Sequence, residues 1–399
     1  MPAPTADYDY LCSAVSRLGS EAAFEVLGRA RELQAIGRDI VHMEVGEPDF
    51  DTPAHIKEAG KAAIDANFTH YAPNAGIMEF REVIAEYATR FRGLAHAYTP
   101  DMAVVAPGAK QIIWNLLAAL LDPGDEMVYA DPAYPTYAAA AGYLGAHAVP
   151  VRLLESKNWG LDLDELAAKI TPRTKVLVLN SPHNPTGGVL SHGDLAAIAE
   201  LARQNRFLIM TDEIYSRNVY GERFESITQF EDLRDRIVVV DGFSKAYAMT
   251  GWRLGYCIAP VKIARAATLL ANNTYACTST FVQKAGMAAL LGDDAPVVAM
   301  SETFRTRRDH FVAALNTIPN VSCPMPEGAF YAFPNITAIT HDDVALASFL
   351  LEEAGVALLG GSCFGEAGRG YLRLSYANSL PELDRCVERM RAAIPNYPR

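Results

Sequence analysis

One unit recurs between about residues 100 and 260, and it restricts the fold more than any other feature of the chain. Each copy has a short apolar run rich in Val, Ile and Leu, then a turn with Gly, Pro, Asn or Asp, then a longer stretch with helical periodicity. Such alternation predicts a mostly parallel sheet covered by helices, which is the α/β class. In the clearest copy we expect a strand over residues 102–106 and a helix that ends before Pro123. Four more strands are predicted in the segments EMVYADPAYPTY, KVLVLNSPHNPTGG, FLIMTDEIY and IVVVDGFSK.

The sequence changes character after about residue 295. Long charged helices, in SETFRTRRDHFVAALNTI and LPELDRCVERMRAAI, surround short predicted strands in GAFYAFP and GYLRLSYA. A chain of 399 residues is also too long for one ordinary hydrophobic core. We therefore expect a large ligand-binding domain over residues 55–295 and a smaller α+β domain formed by residues 1–54 and 296–399.

The charge and the cysteines argue against several classes of protein. A formal net charge of -12 disfavours a protein that neutralises nucleic-acid phosphates. The apolar runs are strand-length or broken by charge, so none is expected to span a membrane. Six cysteines without a CxxC pair suggest neither a zinc site nor a disulfide framework, and we expect no metal. Since the N-terminal segment also lacks a basic stretch followed by an apolar one, we expect a cytoplasmic protein.

Polar or aromatic residues follow each predicted strand directly. In open parallel sheets ligands bind beyond the carboxyl ends of the strands, so these residues are expected to converge on one site. The candidates are Gly108, Ala109, Lys110, Tyr134, Asn184, Asp212, Tyr215, Lys245 and Arg253.

Most of the candidates also have an ordinary structural interpretation. A Gly-Ala turn that opens a helix suits a phosphate, and Arg253 would add paired hydrogen bonds, but a plain strand-to-helix turn looks the same. Asp212 ends an apolar strand and needs a cationic partner, unless it caps a helix or forms a structural salt bridge. Asn184 before a proline is equally a turn-former. Tyr134 could be ordinary packing, and Tyr215 could cap the strand.

Lys245 unifies these candidates, although a loop lysine taken alone is more often a solvated one. A lysine amine in a pocket with other cations loses proton affinity and becomes a nucleophile toward an aldehyde. One ligand requires a phosphate cradle, a lysine, a carboxylate for a pyridinium nitrogen and an aromatic face. The sequence therefore predicts pyridoxal 5'-phosphate as the cofactor.

The same segments resemble a known family, the class I/II aminotransferases of pyridoxal-phosphate fold type I, and within it the bacterial aspartate aminotransferase-like group. The resemblance runs from about residue 20 to 390. Its motifs are VGEPDFDTP, THYAPNAGI, PGAKQ, LLDPGDE, DPAYPTY, SPHNPTGG, TDEIY, SKAYAMTGWRLGY, GAFY and YLRLSYA.

The resemblance implies a role for each residue of the predicted site. Lys245 would bond covalently to the cofactor, Asp212 would hold the pyridine nitrogen protonated, and Arg253 would reach the phosphate. In the same way Tyr215 and Asn184 would contact the ring oxygen. Tyr134 would stack on the cofactor ring. Ala109 and Lys110 would lie with Gly108 at the turn that binds the phosphate.

Substrate binding and assembly are also implied by the resemblance. Arg373 would bind the α-carboxylate of the substrate, and Gly46 would lie close to the same group. Tyr134 and Asn184 would also contact the substrate. Tyr71 matches a tyrosine that in this family reaches the phosphate of the neighbouring subunit. That match implies a homodimer with shared active sites.

The implied reaction moves an amino group from an L-amino acid to a 2-oxo acid by a ping-pong mechanism through pyridoxamine phosphate. Lys245 would act in it as general base and acid. The alternative on the same scaffold is a pyridoxal-phosphate lyase, synthase or decarboxylase. A transcription regulator with an aminotransferase-like sensor is disfavoured, because about twenty residues precede the family match.

Four residues bear on how closely this chain follows its family. Gly242 stands where many relatives carry a phosphate-binding serine, and Ser244 is a possible substitute. Glu21 would repel a dicarboxylic substrate if it faces the pocket, or it is a solvated helix residue. Lys110 matches a lysine that in some relatives meets the distal carboxylate of acidic substrates. The sequence leaves the amino donor open.

Overall fold

The computed structural model of the chain describes residues 11–18, 22–221 and 223–398. Every predicted site residue lies in this part, whereas Glu21 lies outside it. The α-helices are α1 (Ala22–Ala35), α2 (Ala54–Asp65), α3 (Met78–Arg92), α4 (Ala109–Leu120), α5 (Thr136–Tyr143), α6 (Leu163–Lys169), α7 (His192–Gln204), α8 (Val261–Thr274), α9 (Thr280–Leu291), α10 (Ala295–Leu315), α11 (Asp343–Ala354) and α12 (Leu380–Ala393). The strands are β1 (Val41–His42), β2 (Ala103–Ala106), β3 (Glu126–Asp131), β4 (His147–Leu154), β5 (Gly160–Leu161), β6 (Thr174–Asn180), β7 (Leu208–Asp212), β8 (Ile237–Gly242), β9 (Gly255–Ile258), β10 (Tyr331–Ala332), β11 (Val356–Ala357), β12 (Leu359–Gly360) and β13 (Leu372–Ser375).

An eight-stranded sheet in the order β2-β9-β8-β7-β6-β3-β4-β5 forms the centre of the larger part of the molecule. From β8 to β4 neighbouring strands are parallel, whereas β9 is antiparallel to both β2 and β8. The five predicted strands, now β2, β3, β6, β7 and β8, are therefore confirmed, and all five run in one direction. The sequence analysis missed β4, β5 and β9. Short antiparallel strands such as β5 and β9 do not repeat the strand-turn-helix unit.

Alternating strand residues bury both faces of the sheet. Val238 and Val240 of β8 pack into one core with α4, α5 and α8, whereas Val239 packs into the opposite core with α3, α7 and α9. Two-sided burial explains why these strands read as continuous apolar runs. The helices thus fix the strands, and the carboxyl ends of the five parallel strands meet at one edge.

A smaller α+β part is built around a separate core. β10, β13 and β12 form an antiparallel sheet, and β1 pairs in parallel with β11, which joins the N-terminal segment to the C-terminal one. Phe304 and Phe311 of α10 and Leu383 and Val387 of α12 pack with Leu374 of β13. The two long charged helices expected here are confirmed, and the short strands occur within the predicted segments.

Two searches of the described residues gave no candidate. No helix in residues 11–18, 22–221 and 223–398 is both long and apolar enough to cross a membrane. The same residues contain no group of three or more His, Cys, Asp or Glu side chains arranged to hold a metal ion.

Candidate active site

A cleft of about 570 Å³ lies where the smaller part meets the carboxyl ends of the parallel strands. It brings together ten of the predicted residues, from segments that are far apart in sequence. These are Gly46, Ala109, Lys110, Tyr134, Asn184, Asp212, Tyr215, Lys245, Arg253 and Arg373.

Two predicted residues are placed differently. Gly108 lies directly behind the cleft wall, against Arg253. Tyr71 lies elsewhere, 93% exposed and beside Cys277 and Phe281. A phenol so exposed is available to contact another molecule but not the cleft of its own chain.

The turn from β2 into α4 forms a site for an anion. Gly108 precedes α4 with φ 94°, and a Cβ there would lie 2.4 Å from Nη2 of Arg253, so only glycine lets the guanidinium approach. Arg253 donates to the carbonyls of Thr250 at 2.9 Å and Pro107 at 3.4 Å. Among the described residues no carboxylate forms an ion pair with it. A helix N-terminus and a guanidinium without an acidic partner suit a phosphate.

Asp212 ends β7 and is buried at the bottom of the cleft. Its Oδ2 accepts a hydrogen bond of 2.7 Å from the hydroxyl of Tyr137, and its Oδ1 accepts one of 3.2 Å from the backbone N-H of Ile214. Burial raises the pKa of Asp212 to about 6, against the effect of the Tyr137 hydrogen bond. The expected cationic partner is not found within the described part of the chain. A cation bound in the cleft would therefore be stabilised there.

Lys245 reaches into the cleft from the turn after β8. Its Nζ donates a hydrogen bond of 2.5 Å to the carbonyl of Gly46 and lies 6.0 Å from the centre of the Tyr215 ring. Burial lowers the pKa of Lys245 to about 8; Glu47 opposes this, and Arg373 acts in the same direction as burial. About a tenth of the amine is therefore neutral at pH 7, and the direction of the pKa change is the one expected from the sequence.

Arg373 of β13 is a buried cation, and not all of its N-H donors are used in hydrogen bonds to the described residues. Its Nη1 donates to Oδ1 of Asn184 at 3.3 Å, and its Nη2 donates to the carbonyl of Glu44. Its guanidinium carbon lies 4.7 Å from the ring centre of Tyr331 and 4.9 Å from that of Phe364. The buried Nε has no hydrogen-bond partner among the residues that the structure describes. This arrangement suits a carboxylate entering the cleft.

The remaining predicted residues form the walls of the cleft. The hydroxyl of Tyr215 lies 2.7 Å from that of Tyr331. The ring of Tyr134 packs edge-on against Tyr137 at 5.7 Å, and Nζ of Lys110 lies 5.6 Å from the Tyr134 ring centre. Tyr134 is therefore partly a packing residue, but it still presents surface to the cleft.

Sequence reasoning missed two tyrosines of this site. Tyr137 lies in the DPAYPTY motif three residues after Tyr134, but Tyr134 precedes α5, so no helical spacing marks the pair in the sequence. Tyr331 belongs to the GAFY motif, but its contacts with Tyr215 and Arg373 depend on the tertiary fold.

Comparison with known proteins decides the family. The model of the family described as aminotransferase class I and II matches residues 38–390. The chain belongs to this family.

The aminotransferase is similar to named relatives over almost its whole length. It is 39% identical to a probable aspartate/prephenate aminotransferase of Aquifex aeolicus, covering 96% of this chain and 98% of that protein. It is also 39% identical to an aspartate/prephenate aminotransferase of Cereibacter sphaeroides, with the same coverage. The solved structure of aspartate aminotransferase from Thermus thermophilus with maleate superposes with a TM-score of 0.92 at 37% identity, covering 97% of this chain and 100% of that chain. These matches support the bacterial aspartate aminotransferase-like group and fold type I.

The aminotransferase depends on pyridoxal 5'-phosphate, and its cleft fits this cofactor. Within residues 11–18, 22–221 and 223–398, no cation pairs with Asp212, which suits a protonated pyridine nitrogen, and no carboxylate pairs with Arg253 at the N-terminus of α4, which suits a phosphate. Lys245 is the cleft amine with a lowered pKa. When bound, the cofactor supplies an electron sink that acidifies the α-hydrogen of an amino acid.

Proposed function

We propose that this aminotransferase uses L-aspartate as amino donor and that prephenate is one of its 2-oxo acid acceptors. Both compounds carry two carboxylates. The observation that carries the proposal is the presence of two cationic side chains, Arg373 and Lys110, in one cleft beside the cofactor-binding residues. The names of the relatives from Aquifex aeolicus and Cereibacter sphaeroides support the same substrates.

In this proposal Arg373 binds the α-carboxylate, because it is buried and its Nε is unpartnered among the described residues. Asn184 holds the guanidinium from one side, and the close approach of Gly46 leaves room for the substrate. Lys110 binds the second carboxylate. Its ammonium group lies over the Tyr134 ring, and this contact would help to hold it in the cleft.

Lys245 then moves the proton of the reaction. Its amine lines the cleft and has a pKa of about 8, so it is able to take a proton from the α-carbon and return it at a neighbouring position. Asp212 would keep the pyridine nitrogen protonated, and Tyr215 and Asn184 would contact the ring oxygen. Tyr134 would cover the ring, and the backbone of the turn at Gly108, Ala109 and Lys110 would hold the phosphate with Arg253.

We infer that two copies of the chain share their active sites. A groove of about 860 Å³ continues from the cleft, and both are lined by Glu47, Thr250 and Arg253. A side chain from a second copy that entered this groove would reach Arg253. Tyr71 is exposed as such a residue must be, and Phe68 beside it is an exposed aromatic residue as well.

Two further expectations remain proposals. We infer that residues 55–295 form one domain and that residues 1–54 and 296–399 form the other, because the strands of the eight-stranded sheet all lie in the first range and those of the two smaller sheets all lie in the second. We infer a cytoplasmic location from the six cysteines, all of which are free thiols.

The substrate proposal is tested by Lys110→Gln with Lys169→Gln as the matched control, since Lys169 lies outside the cleft. Losing one hydrogen bond between charged groups should lower kcat/KM for aspartate by about tenfold to a hundredfold relative to a neutral donor. Lys169→Gln should change kcat/KM neither for aspartate nor for the neutral donor. An unchanged donor ranking in Lys110→Gln would reject the dicarboxylic substrate and leave the family membership untouched.

A further inference from the structure

Tyr331 contacts three separate parts of the cleft although its side chain is only 1% exposed. Its hydroxyl lies 2.7 Å from the Tyr215 hydroxyl, and its ring faces the Arg373 guanidinium at 4.7 Å. A Cβ on Gly46 would lie 2.0 Å from the Tyr331 oxygen, so the phenol sits directly against that glycine. Gly46 in turn accepts the hydrogen bond from Lys245. No other cleft residue in the described chain has all these contacts.

The direction of the hydrogen bond between the two hydroxyls follows from their surroundings. Each phenol has one proton, so one hydroxyl donates and the other accepts. The positive charge of Arg373 over the Tyr331 ring favours loss of electron density from that phenol and makes it the stronger donor. With Tyr331 as donor, the Tyr215 proton is free to point into the cleft.

We propose that Tyr331 is a positioning residue for transamination: its hydroxyl donates to the Tyr215 oxygen and so directs the Tyr215 proton toward the cofactor, while its ring holds the Arg373 guanidinium. The inference rests on the proposed contact of Tyr215 with the cofactor ring oxygen. Tyr331 would thus connect Arg373, which would bind the substrate carboxylate, with Tyr215, which would contact the cofactor.

The two halves of this role are separable by substitution. Tyr331→Phe removes the hydroxyl and keeps the ring beneath Arg373, whereas Tyr331→Leu removes both. The matched control is Tyr376→Phe, because Tyr376 is another buried tyrosine of the same core and its hydroxyl donates to the carbonyl of Ala329 at 3.3 Å. Thermal unfolding of each holoenzyme reports any general loss of packing.

The decisive measurement is the pH midpoint of the visible absorption band of the bound cofactor. A donor at the ring oxygen stabilises the form that has lost a proton, so a weaker donor raises the midpoint. Because Tyr331→Phe loses one hydrogen bond, we expect its pH midpoint to rise by about 0.5 to 1 pH unit. Tyr215→Phe should raise the midpoint further, and adding Tyr331→Phe to it should have no further effect, since Tyr331 acts through Tyr215. Tyr376→Phe should leave the midpoint unchanged.

Steady-state kinetics test the contact with Arg373. KM for amino acids should stay near the wild-type value in Tyr331→Phe and rise about three- to tenfold in Tyr331→Leu, as expected for a lost cation-π contact. An unchanged midpoint in Tyr331→Phe, or additive shifts in the double variant, would overturn the inference. If Tyr215→Phe itself left the midpoint unchanged, the proposed role of Tyr215 would fail as well, which separates the two claims.

Discussion

The hydroxyl of Tyr137 donates a 2.7 Å hydrogen bond to the Asp212 carboxylate, and among the described residues no other side chain donates to that carboxylate. The carboxylate is buried, no cation of the described chain pairs with it, and burial raises its pKa to about 6. A hydroxyl stabilises a negative charge less than a cation does. The cofactor-free enzyme is therefore destabilised wherever Asp212 is ionised.

This pKa predicts the pH dependence of apoenzyme stability. The folded state holds the Asp212 proton up to about pH 6, whereas the unfolded state loses it near the ordinary value of 3.8. The free energy of unfolding should therefore fall as pH rises from about 4 to 6, by on the order of 3 kcal/mol from this group. Urea unfolding of the apoenzyme at several values from about pH 4 to pH 7 should show that fall. Asp212→Asn should remove the share of Asp212 and leave that of Asp241, whose pKa burial also raises to about 6. The same variant should lose most transamination, and retention of normal proton abstraction would contradict the role of Asp212.

The lowered pKa of Lys245 predicts how fast the apoenzyme captures its cofactor. Only the neutral amine attacks an aldehyde, so the rate constant should rise about tenfold per pH unit below pH 8 and level off above it. Stopped-flow absorbance after mixing apoenzyme with pyridoxal 5'-phosphate measures this. Lys245→Ala should fold but develop no visible band from a covalent lysine adduct. Borohydride reduction and peptide mapping identify the lysine, and a label on another lysine would refute the assignment.

Arg373 should control recognition of all amino acids. Two hydrogen bonds to a carboxylate, each worth about 1.5 to 3 kcal/mol, imply a loss of a hundredfold or more in kcat/KM for Arg373→Ala. Arg373→Lys keeps the charge but loses the paired donors. Its kcat/KM should therefore lie between those of the wild type and Arg373→Ala. Simple amines that lack a carboxylate are the control substrates. Equal losses for those amines would show that the arginine acts on something other than the α-carboxylate.

Much of this site was predictable because its residues follow apolar strands at the same edge of a parallel sheet. Asp212 and Lys245 were found in this way, since Asp212 ends one apolar strand and Lys245 lies in the turn after another. The assignment of Arg373 came from the resemblance, because β13 belongs to the other part of the molecule. Tyr331 escaped sequence reasoning, since its partner Tyr215 is 116 residues away and the contact exists only in the folded chain.

The family resemblance places Gly242 at the position of a phosphate-binding serine, and the structure gives a reason why a side chain is unfavourable here. A Cβ would lie 3.1 Å from Cα of Gly255 and 3.2 Å from both Cδ1 of Ile214 and the carbonyl oxygen of Leu254. We expect Gly242→Ser to lower the free energy of unfolding by about 1 to 3 kcal/mol, as overpacking does. Gly142→Ser is the control, because no atom lies within 4 Å of a Cβ there. Urea unfolding measures the free energy of unfolding of both variants. A Gly242→Ser enzyme that was as stable as the wild type and bound the cofactor more tightly would contradict the prediction.

Mixed dimers test whether Tyr71 serves the neighbouring subunit. Tyr71→Ala and Lys245→Ala should each be nearly inactive alone, the first through weak cofactor binding and the second through loss of the amine. In a dimer with one chain of each kind, the site with an intact Lys245 would receive Tyr71 from the Lys245→Ala chain and would be complete. Random mixing after mild unfolding and refolding should therefore restore about a quarter of wild-type activity, since half of the dimers are mixed and each has one complete site. If Tyr71 acted within its own chain, no mixed dimer would contain a complete site and the activity would stay at the level of the separate variants.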